Sequence, residues 1–234
     1  MRFGTALLGF LLVTIPSSHA TEGVILLHGL ARTEKSMRAM ADALRGAGYT
    51  VLNVDYPSRS ATVTDLSESV IGQALANPTL AGVKRIHFVT HSMGGILVRS
   101  YLTRHEIKNL GRVVMLGPPN QGSEVVDHLG DLSLFSAING PAGRELGTAV
   151  DSLPNRLGPV GFELGVIAGD RSINWINSLM IDGPDDGKVS VVRTRVEGMK
   201  DHLVLHVTHP YLMENEQVIA QALHFLREGR FARN

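Results

Sequence analysis

The chain has 234 residues, 44% of them hydrophobic, which is enough for one well-buried domain and short for two. Basic and acidic residues balance to a formal net charge of zero and aromatic residues make up only 5%, so neither a basic nucleic-acid face nor a stacking platform for single strands is expected. The absence of cysteine excludes disulfides, thiolate metal sites, a cysteine nucleophile and a lipidated cysteine.

Residues 1–20 have the layout of a secretory signal peptide. Arg2 supplies the positive end, Phe3 to Ile15 form an apolar run, and Ser18-His19-Ala20 gives a small-x-small cleavage pattern after Pro16. The alternatives are an uncleaved anchor or a buried first helix, but the run falls short of the roughly 20 residues that span a bilayer. The expectation is export to the periplasm or the outside of the cell. Residues 21–234 are then a single domain with no stable membrane span.

From there apolar strands alternate with helical periodicity. Val24 to His28 reads as a short buried strand, and Ser36 to Ala47 has helical spacing through Met37, Met40, Ala41 and Leu44. Thr50 to Tyr56 is a second strand ended by Pro57, and Asp65 to Ala76 a second helix. Arg85 to Thr90 and Gly94 to Arg104 form the third strand and helix. Arg112 to Leu116, Phe162 to Ala168 and His202 to Val207 complete six strands, and Glu214 to Glu228 is a final amphipathic helix. Strands separated by helices predict an α/β fold: a doubly wound, mostly parallel six-stranded sheet flanked by helices. Two segments break the alternation, residues 123–160 with several leucines and Arg171 to Lys188 with "GPDDG". Long connections of this kind are usually functional, and the first is a candidate lid, acyl pocket or small extra helix.

A serine stands between the third strand and the third helix, in Thr90-His91-Ser92-Met93-Gly94. A sharp strand-to-helix turn with serine at its apex is a nucleophile elbow, whose usual pattern is G-x-S-x-G. Thr90 departs from that pattern and needs room beside the helix; Gly94 and Gly95 supply small residues on the other side. The helix start offers free N–H groups to an oxyanion forming beside Ser92. The competing reading is a serine that only caps a helix.

Here the chain resembles the α/β-hydrolases, and among them small bacterial lipases and esterases. "VILLHGL" is similar to that family's first conserved strand and oxyanion loop, "THSMGG" to its elbow, "LGPPNQGS" to the P-x-x-G-S stretch after the next strand, and "DDGKVSV" to the D-G-x-V loop that carries the acid. The resemblance runs from about Gly23 to the last helix and is loosest over residues 123–160. It implies the minimal α/β-hydrolase fold, with an oxyanion hole made by the Leu30 and Met93 amides. His28 is then expected to hold its loop by hydrogen bonds.

A serine hydroxyl needs a base, and histidine suits the task. The serious set is His202, His206 and His209 in "HLVLHVTH". His209, just beyond the last strand and before Pro210, fits the Ser, acid, His chain order of this fold, with His206 as the alternative. A shared metal site is a competing reading of all three. The bland reading of His87, His91, His105, His128 and His224 is strand, helix or surface.

For the acid, Asp170 directly follows the fifth strand, while Asp185 and Asp186 lie in "PDDGKV". The resemblance favours Asp186. Asp55 is expected to anchor a loop.

The expected function is a secreted serine hydrolase that cleaves carboxylic esters through Ser92, Asp186, His209 and an acyl-enzyme, with no cofactor and no metal. Its partner is a small-molecule or lipid ester, not nucleic acid. A thioesterase, amidase or acyltransferase on the same three residues, or a non-catalytic binding protein of the same fold, are the alternatives.

Overall fold

The computed structural model describes residues 21–130 and 133–233. The expected signal peptide, residues 1–20, lies outside the described residues. Among these, six strands form one sheet: β1 (Glu22–Leu27), β2 (Thr50–Val54), β3 (Arg85–His91), β4 (Leu110–Leu116), β5 (Leu164–Gly169) and β6 (Asp201–Leu205). The spatial order is β2-β1-β3-β4-β5-β6 and every pairing is parallel. The chain therefore starts one strand in from an edge, steps out to β2, then reverses once and crosses the sheet to β6.

Helices cover both faces. They are α1 (Arg38–Gly46), α2 (Val63–Leu66), α3 (Gly72–Leu75), α4 (Met93–Leu102), α5 (Glu124–Leu129), α6 (Ser133–Arg144), α7 (Leu153–Arg156), α8 (Trp175–Ser178) and α9 (Glu216–Glu228). The expected helix over Asp65 to Ala76 is one helical run, from α2 to α3, with a π-helical stretch at Ser67–Ile71 between them. It starts earlier than its apolar spacing suggests because the Thr62 side chain accepts from the Asp65 N–H and caps it. The last helix likewise begins after Asn215, whose side chain accepts from the Val218 N–H at 3.1 Å.

Side-chain alternation explains why the strands are apolar throughout. In β1, Ile25 and Leu27 join the core layer containing Val63, Ile71, Ile96 and Leu97, while Val24 and Leu26 join the layer containing Met37, Leu44, Val218 and Phe225. Both faces of the central strands are thus dry.

β6 is shorter than expected. It ends at Leu205, where Val207 N–H turns back to Leu205 O at 2.8 Å, so His206 lies beyond the strand. The long 123–160 connection holds α5, α6 and α7, and α6 is broken at Gly140 (φ 65°), just before Pro141. No helix among the described residues is long and apolar enough to cross a membrane.

Candidate active site at the carboxyl ends of the strands

Ser92 sits at the apex between β3 and α4 with φ 53° and ψ −123°, a conformation rarely adopted by a residue with a Cβ. Its N–H donates to Leu116 O at 2.8 Å, which ties the strained turn to β4. α4 runs close beneath the sheet. A Cβ at Gly94 would lie 2.7 Å from Leu27 O, so glycine is required for the approach. The room that Thr90 needs is found against Gly95: Thr90 is fully buried and its Oγ1 would lie 3.3 Å from a Cβ there.

Ser92 Oγ is 3.1 Å from His209 Nε2, and His209 Nδ1 is 2.7 Å from Asp186 Oδ2. Asp186 is fully buried and His209 nearly so. The carboxylate is fixed on every side. Its Oδ1 accepts from the N–H groups of Lys188 (3.0 Å) and Val189 (2.9 Å), and its own carbonyl accepts from His209 N–H at 2.9 Å. With Nδ1–H donating to the carboxylate, Nε2 is left as an acceptor for the serine hydroxyl.

The loop after β1 faces Ser92 from the other side. A Cβ at Gly29 would meet His91 Nδ1 at 2.7 Å and Ser92 Cβ at 3.1 Å, so only glycine lets this backbone come so near. Ala31 has φ 56°, and its N–H donates to Ser58 Oγ at 3.0 Å. Arg32 N–H donates to Gly29 O at 3.3 Å. The Leu30 N–H makes no hydrogen bond among the described residues. Met93 is the first residue of α4, where an N–H has no acceptor within the helix.

His28 is a loop holder, as its position suggested. It is buried and stacked on Tyr56 with ring centroids 4.0 Å apart. Its Nδ1 donates to Gly29 O at 2.9 Å, and its carbonyl accepts from the Tyr56 hydroxyl at 2.6 Å. Burial lowers its pKa, which keeps it neutral.

His91 carries more than a strand position. It is buried, and its Nε2–H donates to His209 O at 3.0 Å, with the two rings 4.7 Å apart. Burial above all, then the neighbouring His209 and Arg32, hold its pKa well below the ordinary value. A neutral ring with the proton on Nε2 satisfies that geometry. The only signal in the sequence was adjacency to Ser92.

The three histidines near the C-terminus diverge. His202 pairs with Thr194 Oγ1 at 2.9 Å, His206 with Asp170 Oδ1 at 2.9 Å, and His209 with Asp186. The three rings thus turn to three different partners. No group of three or more potential ligands among the described residues gathers to hold a metal ion. Asp185 instead braces its turn, accepting from Gly187 N–H at 2.7 Å and Ser178 Oγ at 2.9 Å. Asp55 does similar work, accepting from Glu34 N–H at 3.4 Å. Ser123, the serine of the P-x-x-G-S stretch, donates to Lys188 O at 2.6 Å and so supports the acid loop.

A cleft of about 510 Å³ opens over Ser92 and His209. Val125, Val126, Ile138 and Leu146, from the 123–160 connection, form an apolar wall, with Ile173 and Asn174 at another edge. The long connection therefore lines the site.

Sheet, elbow and cleft together define a class of α/β protein with its working residues on loops at the carboxyl ends of parallel strands. The chain belongs to the alpha/beta hydrolase family, whose model matches residues 24–185. Comparison with curated protein sequences gives no match. Among solved structures, the mature form of lipase BlEst2 from Bacillus licheniformis is similar at 18% identity and TM-score 0.73, over 91% of this chain and 96% of that one. Phospholipase PlaB from Legionella pneumophila is similar at 19% identity and TM-score 0.68, over 88% of this chain and 57% of its own length. The metagenomic carboxyl esterase MGS0156 is similar at 19% identity and TM-score 0.65, over 84% and 66%. At such identities the likeness is one of fold.

Proposed function

We propose that this protein is a serine hydrolase that cleaves carboxylic esters, with Ser92 as nucleophile, His209 as general base and acid, and Asp186 as the carboxylate that orients His209. The observation that carries the reading is the continuous chain from Ser92 Oγ to His209 (3.1 Å) to a buried, fully bonded Asp186 (2.7 Å), at the floor of a half-apolar cleft.

His209 Nε2 takes the Ser92 proton as Oγ bonds to the ester carbonyl carbon. The carbonyl oxygen becomes an oxyanion, which the Leu30 and Met93 N–H groups receive. Collapse breaks the bond to the alcohol oxygen, which leaves with the proton from His209. Water then repeats the sequence: His209 takes its proton, its oxygen bonds to the acyl carbon, and Ser92 leaves reprotonated. Asp186 orients His209 and stabilises the imidazolium. The strained Ser92 backbone supports this assignment, since it projects Oγ away from both strand and helix. The apolar wall from residues 125–146 suits an acyl chain. We also propose export, with residues 1–20 as the cleaved leader.

A panel of p-nitrophenyl esters of increasing acyl length tests the reading. Wild type is expected to hydrolyse at least one of them, and Ser92→Ala to lose on the order of 10³-fold or more in kcat. A folded wild type inactive on every ester removes the esterase reading. Edman sequencing of protein recovered from outside the cytoplasm is expected to start at Thr21.

A further inference from the structure

The chain as a whole is neutral by formal count, but its cleft is not. The lining holds three charged groups besides its histidines: Arg32, Lys188 and Asp186. Asp186 is already consumed, with Oδ2 on His209 and Oδ1 on two backbone N–H groups. The Arg32 guanidinium and the Lys188 ammonium make no ion pair and no hydrogen bond among the described residues. Other arginines of this chain find carboxylates, as Arg193 does with Glu124 at 2.6 Å and Arg112 with Glu163 at 2.7 Å.

Both cations are tied to the reaction geometry. Arg32 lies two residues beyond Leu30, in a turn closed by its own N–H to Gly29 O at 3.3 Å. Lys188 lies two residues beyond Asp186, and its backbone is held at both ends, by Asp186 Oδ1 (3.0 Å) and by Ser123 Oγ (2.6 Å). The two loops that present a free amide and the buried carboxylate thus each present one cation at the same cleft. The cations also feel each other. Lys188 is an exposed residue whose partial desolvation lowers its pKa, a shift that Asp186 opposes and the Arg32 guanidinium adds to. An anion placed beside both groups relieves this repulsion. A guanidinium fork receives a carboxylate or phosphate in bidentate fashion, and an ammonium adds a point charge.

We propose that Arg32 and Lys188 form an anion subsite of the Ser92 cleft, so that the preferred esters carry a carboxylate or phosphate group together with an apolar chain for the Val125, Val126, Ile138 and Leu146 wall. This rests on the ester-hydrolase reading above.

The test uses the full chain and two matched pairs of soluble esters. One pair is mono-4-nitrophenyl suberate and its methyl ester, which place a carboxylate or a neutral group at the end of the acyl chain. The other is butyrylglycerol phosphate and butyrylglycerol, which place a phosphate or nothing on the alcohol side. At about 0.05 M salt the anionic member of at least one pair is expected to exceed its partner about tenfold in kcat/KM, mainly through KM. The pair that responds tells which side of the ester meets the cations. Raising salt to about 0.5 M is expected to bring that ratio toward one in wild type, a readout that needs no variant. Arg32→Gln and Lys188→Gln are expected to collapse the ratio, and Arg32→Lys to keep part of it. Independently of turnover, Ser92→Ala titrated in a calorimeter is expected to bind monomethyl suberate about tenfold tighter than dimethyl suberate.

Esters cleaved with ratios of one or below at low salt, or a ratio unchanged in the Arg32→Gln/Lys188→Gln double variant, overturn the subsite and leave the ester reading standing. Anion binding by Ser92→Ala with no ester cleaved by wild type has the opposite meaning: the subsite stands and the ester reading falls.

Discussion

Two aspartate–histidine pairs join the loop after β5 to the loop after β6. Asp170 and His206 come first along their loops, with Nδ1 to Oδ1 at 2.9 Å and side chains 35% and 75% exposed. Asp186 and His209 come further along, with Nδ1 to Oδ2 at 2.7 Å and side chains 0% and 9% exposed. The chemistry and the distances are nearly equal, but the surroundings are not. Water competes for the first pair and screens it, so it contributes little. The second pair is desolvated, and its carboxylate has every oxygen bonded. Its imidazole also meets a serine hydroxyl with its other nitrogen. A histidine–carboxylate distance alone does not separate the two pairs; burial and a third partner do.

The sharpest way to break this contrast is to neutralise each acid in turn. Asp186→Asn leaves His209 with the wrong tautomer, and kcat on an active ester is expected to fall about 10³- to 10⁴-fold. A larger loss from Asp170→Asn would invert the comparison. Next in size is His91, which anchors the buried pair by its bond to His209 O. His91→Leu leaves that carbonyl unpaired, at a cost of roughly 1–3 kcal/mol. Activity is expected to drop about tenfold, chiefly in kcat, with a lower Tm in a thermal melt.

A third test uses pH. Burial lowers the pKa of His87 and of His202 to about 4, and that of His91 well below its ordinary value. For His87, Glu22 opposes the shift. The unfolded chain therefore takes up more protons than the folded one once pH drops below the ordinary histidine value of about 6.5. Stability is expected to be full above that point and to fall progressively toward about pH 4. Melts at pH 7.5, 6 and 4.5 should show Tm declining in that order, and His87→Asn should flatten the decline. The smallest effect belongs to the exposed pair. His206→Gln is expected to change ester turnover less than about twofold and urea-measured stability by no more than about 0.5 kcal/mol.

Much of the frame was legible because its signals are local. "GVILL" and "VVML" carry no polar face, and only a sheet covered on both sides takes such strands in quantity. The elbow was legible for the same reason: the strand, Ser92 and the two glycines that admit α4 are contiguous. Errors arose where an interaction crossed the chain. His206 reads as part of an apolar strand, yet the turn at Val207 releases it to Asp170 and solvent. His91 reads as one more strand residue until His209 folds over it.

By itself, then, the sequence determined the alternation of strands and helices and put one serine in a turn too tight for ordinary backbone. Periodicity, small residues and backbone sterics act over a few positions and need no partner. Only the tertiary structure decided which acid and which histidine meet that serine. Ser92 lies 117 residues before His209 and Asp186 lies 23 before it, and burial, not spacing, separates the Asp186–His209 pair from its exposed neighbour. The same holds for Arg32 and Lys188, two ordinary cations in the sequence that share one cleft because the loops after β1 and β5 both lie at the carboxyl ends of the parallel strands.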